Sequence, residues 1–460
     1  MKCRFAALVC VILLLAVLAA AADAVPAAAL SFAAPAFYAT GHGPSAVAVA
    51  DHNGDGVLDV ATADYEGDAV SVLLGDGTGG FTAASQLTTG SEPCDVAVGD
   101  FDGDGKKDLV TANAGADTVS VLLGDGSGAF GQKTDFPTGS RPWAVAVADF
   151  NGDGKQDLVT ADLGDGAVSV LLGTGSGAFA AKTDYATGPN CNGVAVGDFN
   201  ADGRPDLAVS FYEAMEDSGA GVLLGDGAGH FSAMQPYLTS LEPRALAIGD
   251  MDGDGAQDLV TAQSLEGTGE IGLFLGDGAG AFSAGTRVRT SRELLCVTLG
   301  DLDGDGNLDV VSAKGAAVLW LRGDGHGGLL KEKDFAAGAR PSDVAVADLN
   351  GDGRQDLVTA NGADDNIGVR LNGPLTTPVI RSLSPAKGSA AAVVTLTGKH
   401  FGAKRGAGAV LFGTVTATRY LSWSDTLIKV KVPAGTSSGD LAVVVKTSAG
   451  TSAARHFLRL

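Results

Sequence analysis

"DHNGDGVLDV" (residues 51–60) sets Asp51, Asn53 and Asp55 at alternate positions, with Asp59 closing the stretch. The decapeptide returns six times: "DFDGDGKKDL" (100–109), "DFNGDGKQDL" (149–158), "DFNADGRPDL" (198–207), "DMDGDGAQDL" (250–259), "DLDGDGNLDV" (301–310) and "DLNGDGRQDL" (348–357). Successive first aspartates lie 49, 49, 49, 52, 51 and 47 residues apart. A period of that size marks a solenoid, propeller or array.

Outward from the decapeptide, each unit reads approximately V-A-V-x-D, the acidic loop, D-L-V-T-A, a variable loop, then V-S-V-L-L-G-D-G-x-G-x-F and a polar stretch ending T-G. These pieces are short, rich in Val, Leu, Thr and Phe, and bounded by Gly, Asp and Asn, which predicts antiparallel strands. In the first unit, 46–50, 58–63, 69–74 and 80–87 give four strands. The fold class is therefore all-β, and seven four-strand units predict a seven-bladed β-propeller. The last unit stops at "NIGVRLNG" (366–373) without a fourth strand, while "FAAPAFYATG" (32–41) matches the fourth-strand stretch "FTAASQLTTG" (81–90). The N-terminal strand is expected to complete the seventh blade, leaving only short, protected edges.

The ends differ from the repeat. Residues 1–24 have a basic start, an apolar run and an Ala22-Asp23-Ala24 site, the form of a secretory signal. No later stretch is apolar enough to span a membrane, so the mature chain is expected to be secreted: extracellular, at the cell surface or periplasmic. The propeller, 25–375, carries 18 basic and 51 acidic residues, a net of −33, which argues against nucleic acid as a partner. Residues 376–460 hold eleven Lys/Arg and two Asp/Glu, a net of +9, and are joined to the propeller at the proline-containing "GPLTTP" (373–378). That shift marks a second domain. Cys94, Cys191 and Cys296 fall in alternate units, too far apart for disulfides, and are expected to be free, buried thiols.

The acidic loops carry the clearest chemistry. A tight loop brings the oxygens of positions 1, 3 and 5 to one side; position 7 can add its carbonyl and position 9 a closing carboxylate. Six to eight oxygens are what Ca²⁺ prefers. The candidate ligands are Asp51, Asn53, Asp55 and Asp59; Asp100, Asp102, Asp104 and Asp108; Asp149, Asn151, Asp153 and Asp157; Asp198, Asn200, Asp202 and Asp206; Asp250, Asp252, Asp254 and Asp258; Asp301, Asp303, Asp305 and Asp309; and Asp348, Asn350, Asp352 and Asp356. Position 6 is glycine in all seven copies. The loops hold 24 of the 54 acidic residues, whose mutual repulsion needs compensation. Up to seven structural calcium ions are the expected cofactors.

With "VAVAD" before it, "DLVTA" after it and "LLGDGSGAF" beyond, the loop resembles the FG-GAP repeat of integrin α-subunit propellers and the related bacterial VCBS-type repeats. The resemblance spans 31–375 and implies a seven-bladed propeller with calcium between strands one and two. Two residues depart from the pattern: Ala201 replaces a glycine, and His52 stands where other copies have Phe, Met or Leu. Beyond it, "SLSPAKG", "VTLTGKHFG", "WSDTLIKVKVPAG" and "GDLAVVVKTSAG" look like an IPT/TIG domain, which implies an immunoglobulin-like sandwich over 376–460.

Catalysis would leave traces that are missing. The six histidines show no H-x-x-H spacing, and the "GDGTGG" and "GDGSGA" stretches lack the helix and lysine of a phosphate cradle. Arg322-Gly323-Asp324 spells an adhesion tripeptide, yet Gly323 and Asp324 follow from the repeat and only Arg322 is new. It reads as an ordinary turn. The loops opposite the acidic ones are where the units differ. First strands there begin with Ser45, Cys94, Trp143, Asn192, Arg244, Leu295 and Ser342, expected to ring the channel mouth. Tyr65, Arg141, Trp143, Phe211, Tyr212, Glu213, Arg244 and Arg340 are the candidate ligand contacts, since aromatics beside Arg and Glu suit a sugar or protein surface. The expectation is a non-catalytic, calcium-binding adhesion module for an extracellular protein or glycan. The alternatives are a carbohydrate-active propeller, lectin or polysaccharide lyase, and a structural surface protein docked through its basic C-terminal domain.

Overall fold

In each unit, Val and Ala alternate along a first strand, the acidic loop reverses the chain, and a second strand runs back beside the first. A computed structural model describes residue 30 and residues 32–460, except 214–215, 374–377, 402–404, 406–407, 425 and 448–449. The signal-like segment 1–24 lies outside the described residues. Among them, seven four-stranded antiparallel sheets hold the repeats. The first sheet is Pro44–Ala50, Asp59–Asp64, Ala69–Gly75 and Phe81–Thr88, with Val47 opposite Thr62 and Val60 opposite Leu73. The other first strands are Pro93–Gly99, Pro142–Ala148, Gly193–Gly197, Glu242–Gly249, Thr298–Gly300 and Pro341–Ala347.

The sheet begun by Pro341–Ala347 and Asp356–Asn361 continues through Asn366–Arg370 to Ala36–Ala39, the N-terminal strand. Ala36 lies opposite Val369 and Ala39 opposite Asn366. Loop closure thus joins the two ends of the repeat in one sheet. Val47, Val60, Leu73 and Phe81 pack on Leu349, Val358, Ile367 and Val369, so the first and last units share a core.

Second strands such as Asp108–Asn113 and Asp157–Asp162 are buried along their whole length. A neighbour covers each face of the sheet, so these strands read as continuous runs with no polar alternation. Phe101, Phe150 and Phe199, one after the first aspartate of their loops, are sealed inside at 2, 1 and 2% exposure. Among the described residues, Cys94, Cys191 and Cys296 are free and buried. Burial pushes the Cys94 and Cys191 thiols up to about 12, which leaves them unreactive.

The C-terminal residues form a sandwich. One sheet is Val379–Ser384, Val393–Lys399, Leu427–Lys431 and Tyr420–Trp423; the other contains Ala409–Phe412, Gly439–Thr447 and Arg455–Arg459. Val394, Leu396, Ile428 and Val430 meet Phe412, Val443, Val445 and Phe457 between the sheets. Burial alternates along Val393–Lys399, as a strand with one wet face requires. No helix of the described residues is long and apolar enough to cross a membrane.

Candidate functional site

The acidic loops are wound by their own backbone. In the first, the N–H groups of Asp55 and Gly56 donate to the Asp51 carboxylate at 3.1 and 2.7 Å, and Val57 N–H donates to Asp55 at 2.7 Å. Such bonds hold positions 1, 3 and 5 on the inside of the turn. Gly56 has φ +79°, and its counterparts lie between +79° and +90°, a region an L side chain rarely adopts. Carboxylate oxygens converge within 4.8 Å in Asp100/Asp102/Asp108, Asp250/Asp252/Asp254 and Asp301/Asp303/Asp309. That donor set is all hard oxygen, which fits calcium.

Position 9 ties the loop to the rest of its unit. Asp59, Asp108, Asp157, Asp206, Asp258, Asp309 and Asp356 are fully buried. In the first unit, one Asp59 oxygen accepts His52 N–H at 2.9 Å and the other accepts Gly75 N–H at 2.8 Å. The same bracket ties loop to third strand in each unit, as with Asp157, Phe150 and Gly173. Burial, against these hydrogen bonds, pushes Asp59 and Asp309 up to about 6 and Asp356 up to about 7. The sequence marked these residues only as ligands; the bracket depends on a third strand some sixteen residues on, as for Gly75.

At the opposite end of the first strands lies a cavity of about 540 Å³. Its lining draws on all seven units: Ser45, Cys94, Trp143, Arg244 and Ser342 reach it from first strands, and Asn192 and Leu295 from the residues just before theirs. Three of these are also pins between neighbouring units. Ser342 Oγ donates to Pro44 O at 2.7 Å, Ser45 Oγ to Pro93 O at 2.9 Å, and Asn192 Nδ2 to Pro243 O at 2.9 Å. Aromatic and cationic side chains share the rest of the lining with exposed Glu293 and Leu295. Tyr65, Arg141, Trp143, Tyr212 and Arg244 line the cavity together, and Trp143 is 36% exposed. The Arg244 guanidinium lies 5.2 Å from the centre of the Tyr212 ring and pairs with Glu242 at 3.1 Å. Arg141 is held in the left-handed region at φ 54°, its N–H capped by Asp117 of the preceding unit at 2.8 Å.

One expected contact is corrected, and two others lie outside the cavity. Phe211 is 3% exposed, because it stands at the second-strand position occupied by Asp64, Asn113 and Asp162 and turns into the blade. Its neighbour Tyr212 faces the other way, as successive strand residues do. Glu213 and Arg340 are exposed but are not part of the cavity lining.

The structure also brings in residues that sequence reading missed. Asp95 and Asp343 form part of the cavity wall. The Asp95 carboxylate accepts Val145 N–H at 2.9 Å, and that of Asp343 accepts Val47 N–H at 3.0 Å, each from the following unit. Burial raises Asp95 to about 7, with the Asp343 charge adding to it, and raises Asp343 to about 6. The available signal was an aspartate in a column otherwise filled by Ala46, Ala144, Gly193, Ala245 and Cys296.

The FG-GAP-like repeat profile matches residues 51–111, 100–160, 149–209, 250–312 and 301–359, more than half of the chain. The chain belongs to the FG-GAP-like repeat family. An IPT/TIG domain profile matches residues 378–457. Among curated proteins, a cyclomaltodextrin glucanotransferase of Paenibacillus macerans is 42% identical over 81 residues, 17% of this chain and 11% of the enzyme. One from Bacillus licheniformis is 44% identical over 72 residues, 15% of this chain and 10% of the enzyme. The chain thus spans about a tenth of the length of the curated relatives it matches. Among solved structures, BBS1N in complex with ARL6DN aligns at TM-score 0.54 and 12% identity, over 75% of this chain and 97% of that one. The BP39L lectin from Burkholderia pseudomallei aligns at TM-score 0.53 and 14% identity, over 72% of this chain and 96% of the lectin. At such identities the likeness is one of fold alone.

Proposed function

We propose that this FG-GAP-like repeat protein is a secreted, non-catalytic binding or adhesion module, braced by calcium in its acidic loops, that takes an extracellular protein or glycan at the channel mouth. The observation that carries the reading is the cavity itself. Trp143, Tyr65 and Tyr212 meet Arg141 and Arg244 where the otherwise uniform units differ. Flat aromatic faces bury apolar ring surface, and guanidinium groups offer several donors at once, the combination that sugars and protein loops both use. Calcium, when bound, supplies the positive charge that offsets crowded carboxylates on the opposite end, as at Asp100, Asp102 and Asp108 and at Asp250, Asp252 and Asp254.

The test is capture on an array of glycans and matrix proteins, with calcium and with EDTA, for the native protein and for Trp143→Ala/Tyr212→Ala. A signal lost on double substitution supports the cavity as the site. A signal unaffected by it removes the cavity from the mechanism. A melt unchanged by EDTA would remove calcium.

A further inference from the structure

The sixth acidic loop differs from the others in what sits over it. In six units a leucine at the end of the third strand leans on a glycine of the next unit's "GDGxG" loop, or "GTGSG" in the third unit. A Cβ on Gly128 would lie 3.0 Å from Leu74, one on Gly229 3.0 Å from Leu172, and one on Gly327 3.2 Å from Leu275. The sixth unit has Arg322 at this position. The reason lies in ring closure. The unit that follows is the seventh, whose third strand, Asn366–Arg370, runs into Leu371-Asn372-Gly373 and not into a "GDGxG" turn, because its fourth strand comes from the N-terminus. A leucine at 322 would have no glycine seat. The backbone shows the same substitution: Gly280 and Gly327 donate N–H to Phe199 O and Met251 O at 2.9 and 3.0 Å, whereas Leu302 O is served by the Asn372 side chain at 2.6 Å.

Freed from that packing, Arg322 turns onto its own unit's loop. Its Nε lies 2.7 Å from Asp303 Oδ2 and its Nη2 2.5 Å from Asp305 Oδ2, the carboxylates at loop positions 3 and 5. These side chains are 2 and 6% exposed, against 34, 35, 33 and 29% for Asp104, Asp153, Asp202 and Asp352 at the position of Asp305. Those four pair with exposed Lys106, Lys155, Arg204 and Arg354 of their own loops, contacts that water and salt screen. Loop six carries Asn307 there instead, so Arg322 is a cation delivered from a different strand and held in place. Its Nη2 donates a hydrogen bond to Asp305, while its Nε meets Asp303 as an ion pair only.

We propose that Arg322 is the resident cation of loop six: it occupies the carboxylates at positions 3 and 5, so this loop keeps its form without a metal ion while the other loops take calcium. The inference rests on the calcium reading above. It also gives Arg322-Gly323-Asp324 a role inside the fold, in which the arginine is engaged and not offered to a partner.

The experiment uses native protein, Arg322→Gln and, as a second variant with the leucine of other units, Arg322→Leu. Calcium bound per chain is counted by equilibrium dialysis, and hydrogen–deuterium exchange is followed over residues 301–309 in EDTA and in calcium. The expected result is one more calcium on the variants than on the native chain. Loop-six exchange should be indifferent to EDTA in the native protein, and about tenfold faster in EDTA for both variants, with recovery in calcium. A calcium count unchanged by substitution in a protein that binds calcium elsewhere overturns the proposal. So does equal loop-six protection of native and variant protein in EDTA. If no form binds calcium, the calcium reading fails by itself, and the native-versus-variant exchange in EDTA still decides whether Arg322 holds the loop.

Discussion

His52 offers a direct measure of what one misplaced polar side chain costs this fold. It occupies the position of Phe101, Phe150 and Phe199 and is 1% exposed, with its ring 5.9 Å from that of Phe130 in an edge contact. Among the described residues, neither of its ring nitrogens has a hydrogen-bond partner. Burial lowers its pKa from 6.5 to about 4, so the ring is neutral at pH 7 and buries an unmet donor and an unmet acceptor. Each unmet group costs about 1–3 kcal/mol. His52→Phe removes both and adds apolar surface in a pocket whose counterparts already hold phenylalanine. The larger ring recovers part of that sum, and a gain of about 2 kcal/mol is expected. Urea unfolding at pH 7.5, followed by tyrosine and tryptophan fluorescence, should show a higher midpoint with an unchanged slope. A variant no more stable than the native protein, with unaltered circular dichroism, would refute the reasoning, because the imidazole nitrogens would then be satisfied in solution.

Three further outcomes follow from other parts of the fold. Asp95 in the native state holds its proton up to about pH 7, whereas an unfolded aspartate releases it near pH 3.9. Between these values the native state binds more protons, so stability should fall as pH rises from about 4 to about 7; Asp95→Asn should flatten that slope in urea melts at pH 5 and 8, and an identical slope would count against the shift. Ala201 sits at φ 57° in a loop position where the other copies have glycine, so Ala201→Gly should stabilise by about 1 kcal/mol, read from the unfolding midpoint, with a loss as the contrary result. Removing residues 30–41 strips four register pairs from Asn366–Val369 and the 4.6 Å edge contact between Phe32 and Phe335; the bare edge should lower the melting temperature and raise light scattering, and a monomer of native stability would show that closure does not brace the ring.

Periodicity alone made the all-β class legible, because the acidic decapeptide, its flanking strands and its glycine turns recur at nearly constant spacing and each is locally determined. The missing fourth strand after residue 373 and the spare one at 32–41 were legible for the same reason, as was the ring begun by Ser45 and Trp143. Local chemistry also accounts for the convergence of Asp250, Asp252 and Asp254, alternate side chains of one tight turn. What a residue does once it faces a neighbouring unit was not legible. Phe211 and Tyr212 are adjacent in sequence, yet strand alternation seals one and opens the other to the cavity. Asp95 and Asp343 became cavity walls and inter-unit pins only when strands about 50 and more residues apart came together. Arg322 read as an accident of a turn until ring closure removed its seat and set it on Asp303 and Asp305. Repetition determines each unit from its own residues; the contacts between units, where burial and charge are set, arise only when the chain's two ends meet in one sheet.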